Sequence, residues 1–183
     1  MTQGPAPPRT RKVLEGAVTK TGGVVPTGEY AEELAMRKDE DLFVVVVGCG
    51  RLGSLVADRL SRVGHHVTVI DHRDSAFGSL SPEYSGFKVE GDATEFACLR
   101  EADVGQADVV VVVTENDNIN LMVGQMAREL FGVTRVIARV TEPAREEIFY
   151  ELGLTTICPA RIVGDEIVEG LLRDAGAGRT HGR

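Results

Sequence analysis

Gly48-Cys49-Gly50-Arg51-Leu52-Gly53 is the stretch of this chain whose residue types and spacing point to chemistry. Three glycines in a G-x-G-x-x-G pattern follow an apolar run and precede an amphipathic one, which suits a turn that cradles a pyrophosphate. Gly48 permits the tight turn, Gly50 lets backbone approach the phosphates with no side chain between, and Gly53 lets the next helix lie close to a sheet. The free N–H groups and positive dipole end of that helix favour negative charge. Asp71 lies about twenty residues further on, where an acid accepts hydrogen bonds from both ribose hydroxyls of an adenine nucleotide. The same carboxylate repels a 2′-phosphate and so disfavours NADP, although neighbouring Arg73 blurs that distinction. Cys49, Leu52 and His72 join the candidate set as neighbours in the same two turns. The competing structural reading is that the glycines only form a tight turn and that Asp71 is a solvated acid ending a strand.

These residues need a scaffold, and the pattern from Leu42 onward supplies one. Leu42–Val47 is a continuous apolar, β-branched run suited to a parallel strand covered on both faces. Arg51–Val63 carries apolar residues at Leu52, Leu55, Val56, Leu60 and Val63, a helical spacing, and Gly64 stops it. Further strands are predicted at Val67–Ile70, Phe87–Glu90, Val109–Val113, Arg135–Val140 and Thr155–Ile157. Helices are predicted around Ser75–Leu80 and over Phe96–Ala102, Asn118–Phe131, Pro143–Leu152 and Arg161–Ala175. Six strands alternating with helices specify an α/β fold: a Rossmann-like, doubly wound, six-stranded parallel sheet with a closing C-terminal helix.

The remainder of the chain is read by composition. Of its 183 residues, 28 are acidic and 20 basic, a formal charge of -8. That balance lacks the basic face that nucleic-acid binding needs. No run approaches the roughly 20 apolar residues of a membrane helix, and the N-terminus has no apolar core of the signal-peptide kind. Three widely separated cysteines, Cys49, Cys98 and Cys158, suggest neither a disulfide framework nor a metal knuckle, so a reduced, cytoplasmic protein is expected. Residues 1–41 hold Pro5, Pro7, Pro8, Pro26 and the Gly22-Gly23 pair with almost no apolar periodicity. They read as a flexible arm with a short helix at Glu29–Arg37, ahead of a nucleotide-binding domain over 42–176 and a disordered tail over 177–183.

Several further segments stand in a fixed order: Gly91-Asp-Ala-Thr94, Leu99-Arg-Glu-Ala102, Ala107–Thr114 and Asn118-Ile-Asn-Leu121. Val136–Val140, Phe149–Gly153 and the Cys158-Pro159 turn follow. From about Phe43 to Ala175 the string resembles the N-lobe of the RCK/KTN family, the TrkA-N domains. These are cytoplasmic regulatory subunits or domains of Trk- and Ktr-type potassium uptake systems and of some potassium channels. The resemblance implies binding of an adenine nucleotide, NAD(H) or ATP/ADP, and ligand-gated control of ion flux in place of chemistry. It also implies a membrane potassium transporter or channel subunit as partner, with the chain peripheral to the membrane and not inserted in it.

The resemblance assigns residues. Asp92 and Ala93 fall in the segment lining the adenine pocket, and Thr114 falls beside the nucleotide at the topological switch point. Capping of the following helices is the bland alternative for Asp92 and Thr114. In ATP-responsive Ktr-type relatives an arginine at the place of Arg51 reaches the terminal phosphate, partly across a subunit interface; otherwise Arg51 is an exposed first-turn arginine. The family's last helix crosses over and packs on a partner N-lobe, which implies a homo-oligomer, a dimer or a ring of dimers. In this chain that stripe is Ile162, Val163, Ile167, Val168, Leu171 and Leu172, and spacing alone also allows burial on its own sheet. Two departures are visible. Several Ktr-type relatives place a cation-holding glutamate after the proline, whereas Ala160 follows Pro159 here, so no metal is expected. The family's C-lobe, with any site it holds, is not expected in this chain.

Enzyme chemistry has little purchase in these residues. His65 and His66 sit in a turn and read as solvent-facing, and no Ser/His/Asp order or zinc spacing occurs. Cys49, at a helix start, could stabilise a thiolate for redox sensing. The alternative function, a small NAD-dependent oxidoreductase or the detached cofactor domain of one, would need a substrate-binding domain and a proton donor. Binding without turnover is the preferred expectation.

Overall fold

The computed structural model describes residues 41–177. The proposed arm with its helix at 29–37 lies outside the described residues, as does the tail beyond Ala177. Strands β1 (Phe43–Val47), β2 (His66–Asp71), β3 (Phe87–Glu90), β4 (Val109–Val112), β5 (Arg135–Arg139) and β6 (Thr155–Ile157) form one sheet. Its order is β3-β2-β1-β4-β5-β6 and every pairing is parallel. The chain therefore reverses its direction of travel between β1 and β4, and the carboxyl ends of both strands open onto one edge.

Alternating side chains divide the core in two. Val45, Val47, Ile70, Val110 and Val112 pack with Leu99, Val123 and Phe149 on one face. Val44, Val46, Val67, Val69 and Val111 pack with Ala57 and Phe77 on the other. Helix α1 (Arg51–Arg62) covers that second face, while α2 (Phe96–Glu101), α3 (Asp117–Gln125) and α4 (Glu146–Glu151) supply residues to the first. A strand buried on both sides is the physical reason for the unbroken valine runs.

Three elements depart from the expected helices. The segment after β2 is a 3₁₀ turn over Asp74–Ser79. The long helix expected over Asn118–Phe131 widens after Gln125 into a π turn, Met126–Leu130. There Gln125 Nε2 donates to the Leu152 carbonyl at 2.9 Å and the Arg128 guanidinium to that of Gly153, so contacts made across the fold accompany the change of pitch. The helix expected from Pro143 opens as a 3₁₀ turn, Pro143–Arg145, because proline starts a helix but donates no N–H. The closing helix α5 spans Pro159–Ala177. Its apolar stripe does not turn onto the sheet: Val163, Ile167, Val168, Leu171 and Leu172 are 54–68% exposed.

Candidate functional site

The glycine turn hangs from the end of β1. Gly48 takes a positive φ of 98°, and its N–H donates to the Ile70 carbonyl at 2.8 Å. A Cβ on Gly53 would collide with the Gly48 carbonyl oxygen, so only glycine lets α1 start this close to the strand. At Gly50, by contrast, a Cβ would meet nothing within 4 Å. Gly50 is the N-cap of α1 and offers no side-chain acceptor, and the first turn holds no acidic residue. The leading N–H groups of a 12-residue helix are thus left for an external acceptor.

Asp71 closes β2 beside this turn. Its Oδ2 accepts the Cys49 backbone N–H at 2.8 Å, and its Oδ1 accepts the Arg73 N–H at 3.0 Å. His72 Nδ1 lies 3.3 Å and Arg73 Nε 4.0 Å from Oδ1. The carboxylate is almost wholly buried, yet both oxygens keep lone pairs beyond these two bonds.

The opposite wall comes from β4 and β5. Asn120, fully buried on α3, accepts the Thr114 N–H at 3.0 Å and the Thr114 hydroxyl at 2.6 Å through Oδ1. Its Nδ2 donates to the carbonyls of Thr114, at 3.1 Å, and Arg139, at 2.9 Å. One amide therefore pins the ends of two strands at the switch point. Buried Asp117 performs the matching task one turn earlier, accepting the Thr141 N–H at 2.8 Å with Arg145 at 3.7 Å. Burial alone would raise the Asp117 carboxyl, but hydrogen bonds from Thr141 and Glu142 and the charge of Arg145 outweigh it and hold the group below its ordinary value.

Between these walls runs a cleft of about 630 Å³, within the roughly 300–1,000 Å³ usual for small-molecule and cofactor sites. Gly48, Gly50, Arg51, Leu52, Asp71, His72, Asp92, Ala93 and Thr114 all line it. Cys49 and Gly53 do not: Gly53 is packed beneath the turn, and the Cys49 side chain points into the core with no exposure. Burial, then the charges of Asp71 and Asp58, push the Cys49 thiol up to about 11. That corrects the expectation of a stabilised thiolate at the helix start, since desolvation and two carboxylates outweigh the helix end.

Neither Asp92 nor Thr114 is the helix cap that the competing reading offered. Asp92 accepts the Thr94 N–H at 2.9 Å and the Thr94 hydroxyl at 2.7 Å, an Asx turn that holds its carboxyl below the ordinary value, while Glu95 holds the N-cap position of α2 and makes no side-chain cap. Asn116, not Thr114, caps α3, accepting the N–H groups of Asn118 and Ile119. Residues absent from the expected set also line the cleft, among them Arg73, Glu115, Asn116, Ile119, Arg139 and Pro159. Only their place at the ends of β2, β4, β5 and β6, or for Ile119 in the first turn of α3, marks them, and strand order is not readable from local pattern. Among the described residues no His/Cys/Asp/Glu cluster could hold a metal ion, and no helix is long and apolar enough to cross a membrane.

Comparison with known proteins places this geometry. The family model of the TrkA-N domain matches residues 44–160. The Trk system potassium uptake protein TrkA of Streptomyces coelicolor is 37% identical over 131 residues, which are 72% of this chain and 59% of that protein. The chain thus spans under two thirds of the length of this curated relative. Among solved structures, the GsuK channel bound to NAD matches with a TM-score of 0.62 and 28% identity, covering 75% of this chain and 24% of that one. GsuK bound to ADP matches with the same TM-score and identity, covering 78% of this chain and 37% of that one.

Proposed function

Because the chain belongs to the TrkA-N domain family, we propose that it is the nucleotide-sensing regulatory part of a potassium transport system, acting on a membrane potassium transporter or channel subunit from the cytoplasmic side. The observation that carries this reading is the uncapped start of α1, turned on Gly48 and Gly50, with Asp71 beside it on the same open cleft. The open space at Gly50 suits a diphosphate seated on the α1 N–H groups. The free lone pairs of Asp71 suit a ribose, and Asp92 and Ala93 flank the place left for adenine. Relatives described as bound to NAD and to ADP support an adenine nucleotide as the ligand class. Arg51, His72 and Thr114 are assigned to its phosphate and ribose surroundings. The site binds and releases its ligand unchanged; it is not an enzyme's.

The exposed stripe of α5 supports the second half of the reading, assembly with another copy. Two clefts held near one interface would convert nucleotide identity into a change of subunit angle, with differential affinity setting the size of the shift. Thermal denaturation with ATP, ADP, AMP, NADH and NADPH tests the binding. A ligand at 100-fold its dissociation constant adds about 2.7 kcal/mol of stability, and NADPH is expected to give the smallest shift of the dinucleotides. No shift with any of them rejects the proposal. Turnover of NADH with a carbonyl substrate would favour the oxidoreductase alternative.

A further inference from the structure

Helix α1 carries basic and apolar residues together on its outer side. Leu55, Arg59, Arg62 and Val63 recur there at helical spacing and all are exposed, Leu55 by 47% and Val63 by 71%. Among the described residues neither Arg59 nor Arg62 has a carboxylate within salt-bridge distance. The single acid of α1, Asp58, is engaged elsewhere: both its oxygens accept the Ser81 N–H at 3.1 Å. Cations in a last turn complement the helix dipole, which explains arginine at this end but not the apolar residues beside it. In a chain of net charge -8 such a face is the exception, and it fits an acidic, partly apolar partner.

The chain itself brings such a segment to this place. Leu42, just before β1, is tied to the turn that follows α1: its N–H donates to His65 Nδ1 at 3.4 Å, and its carbonyl accepts the His66 N–H at 2.9 Å. Residues preceding it therefore enter the fold beside the C-terminal end of α1, next to Arg62 and Val63. Residues 29–40 lie outside the described residues and outside the family match over 44–160. They hold five acidic residues against two basic, with Tyr30, Leu34 and Met36 among them. Twelve residues reach up to about 40 Å when extended, against about 18 Å for the length of α1, so the whole stripe is within range. Exposed ion pairs are individually weak, but a tethered segment meets its site at an effective concentration on the order of millimolar.

We propose that residues 29–40 of this chain dock on the outer face of α1, setting carboxylates on Arg59 and Arg62 and apolar side chains on Leu55 and Val63. The chain holds no tryptophan, so Tyr30→Trp places a single fluorescent reporter in the segment of the otherwise intact protein. Its acrylamide quenching constant is expected to be about half or less of the value in urea-unfolded protein. It should rise about twofold with Arg59→Glu, Arg62→Glu, and likewise in 1 M NaCl, where the screening length falls to about 3 Å. Adding Glu32→Lys, Glu33→Lys to the reversed arginines should restore the low value. If the reversed pair lowers the melting temperature, Arg59→Gln, Arg62→Gln replaces it, and the salt titration needs no variant at all. A reporter as accessible as in urea, or one indifferent to both salt and the arginine changes, overturns the proposal. So does protection that fades on dilution, which would put a second copy on this face. Protection seen only with phosphatidylglycerol vesicles overturns it too, in favour of an anionic membrane surface. Nucleotide binding stands or falls separately, since none of these readings involves a nucleotide.

Discussion

The carboxylate of Asp71 accepts the backbone N–H of Cys49 at 2.8 Å, joining the end of β2 to the glycine turn across 22 residues. The acid thus holds the turn in shape and, in the proposed function, also faces the ribose. Asp71→Ala should weaken every adenine nucleotide by about tenfold or more and cost about 1–3 kcal/mol, since a buried N–H loses its acceptor. Calorimetry and urea denaturation measure the two effects separately. Unchanged nucleotide affinity would leave Asp71 a purely structural brace.

Arg51, exposed in the first turn of α1, lines the cleft beside the N–H groups assigned to the phosphates. Arg51→Ala is expected to weaken ATP more than ADP or NADH. Losses of equal size for the three ligands would make it a general phosphate contact.

The stripe of α5 is apolar at five positions, each more than half exposed in the single chain. In the proposed assembly this stripe is the surface that a second copy covers. Light scattering should find the intact protein at least dimeric, and the double change Leu171→Asp, Leu172→Asp should yield a monomer that still melts cooperatively. A monomeric intact protein, with and without nucleotide, would defeat the assembly half of the proposal.

Asp117 carries a pH signature. Its folded carboxyl lies below the ordinary value of 3.8, so the unfolded chain binds the proton first as pH falls. The stability it contributes is complete above about pH 4 and is lost as pH drops through the lower folded value. Asp117→Asn should cost about 1–3 kcal/mol at neutral pH and flatten the acid limb of a stability–pH curve. An acid limb identical to that of the parent would mean that other carboxylates govern it.

Local pattern determined a good deal. A strand buried on both faces must be apolar throughout, so the valine runs announced β1 and β4; a helix packed on one side must repeat every three to four residues, so α1 was legible. Gly48, Gly50, Gly53 and Asp71 were legible because turn geometry and close approach restrict residue type within a few positions. Tertiary structure decided whatever depends on which distant residues meet. Cys49 sits where a helix-start thiol could ionise, yet contact with the core and with Asp71 keeps it protonated. Asn120 and Asp117 look like ordinary helix residues until strand order brings Thr114, Arg139 and Thr141 to them. Arg139 reads as one more strand residue until that same order leaves it lining the cleft. The α5 stripe allowed burial on its own sheet or on another copy; in the single chain the fold leaves it exposed from Val163 onward. Period and turn chemistry act over a few residues, whereas burial, pairing and counter-charge are properties of neighbours that the chain brings together only when the sheet has formed.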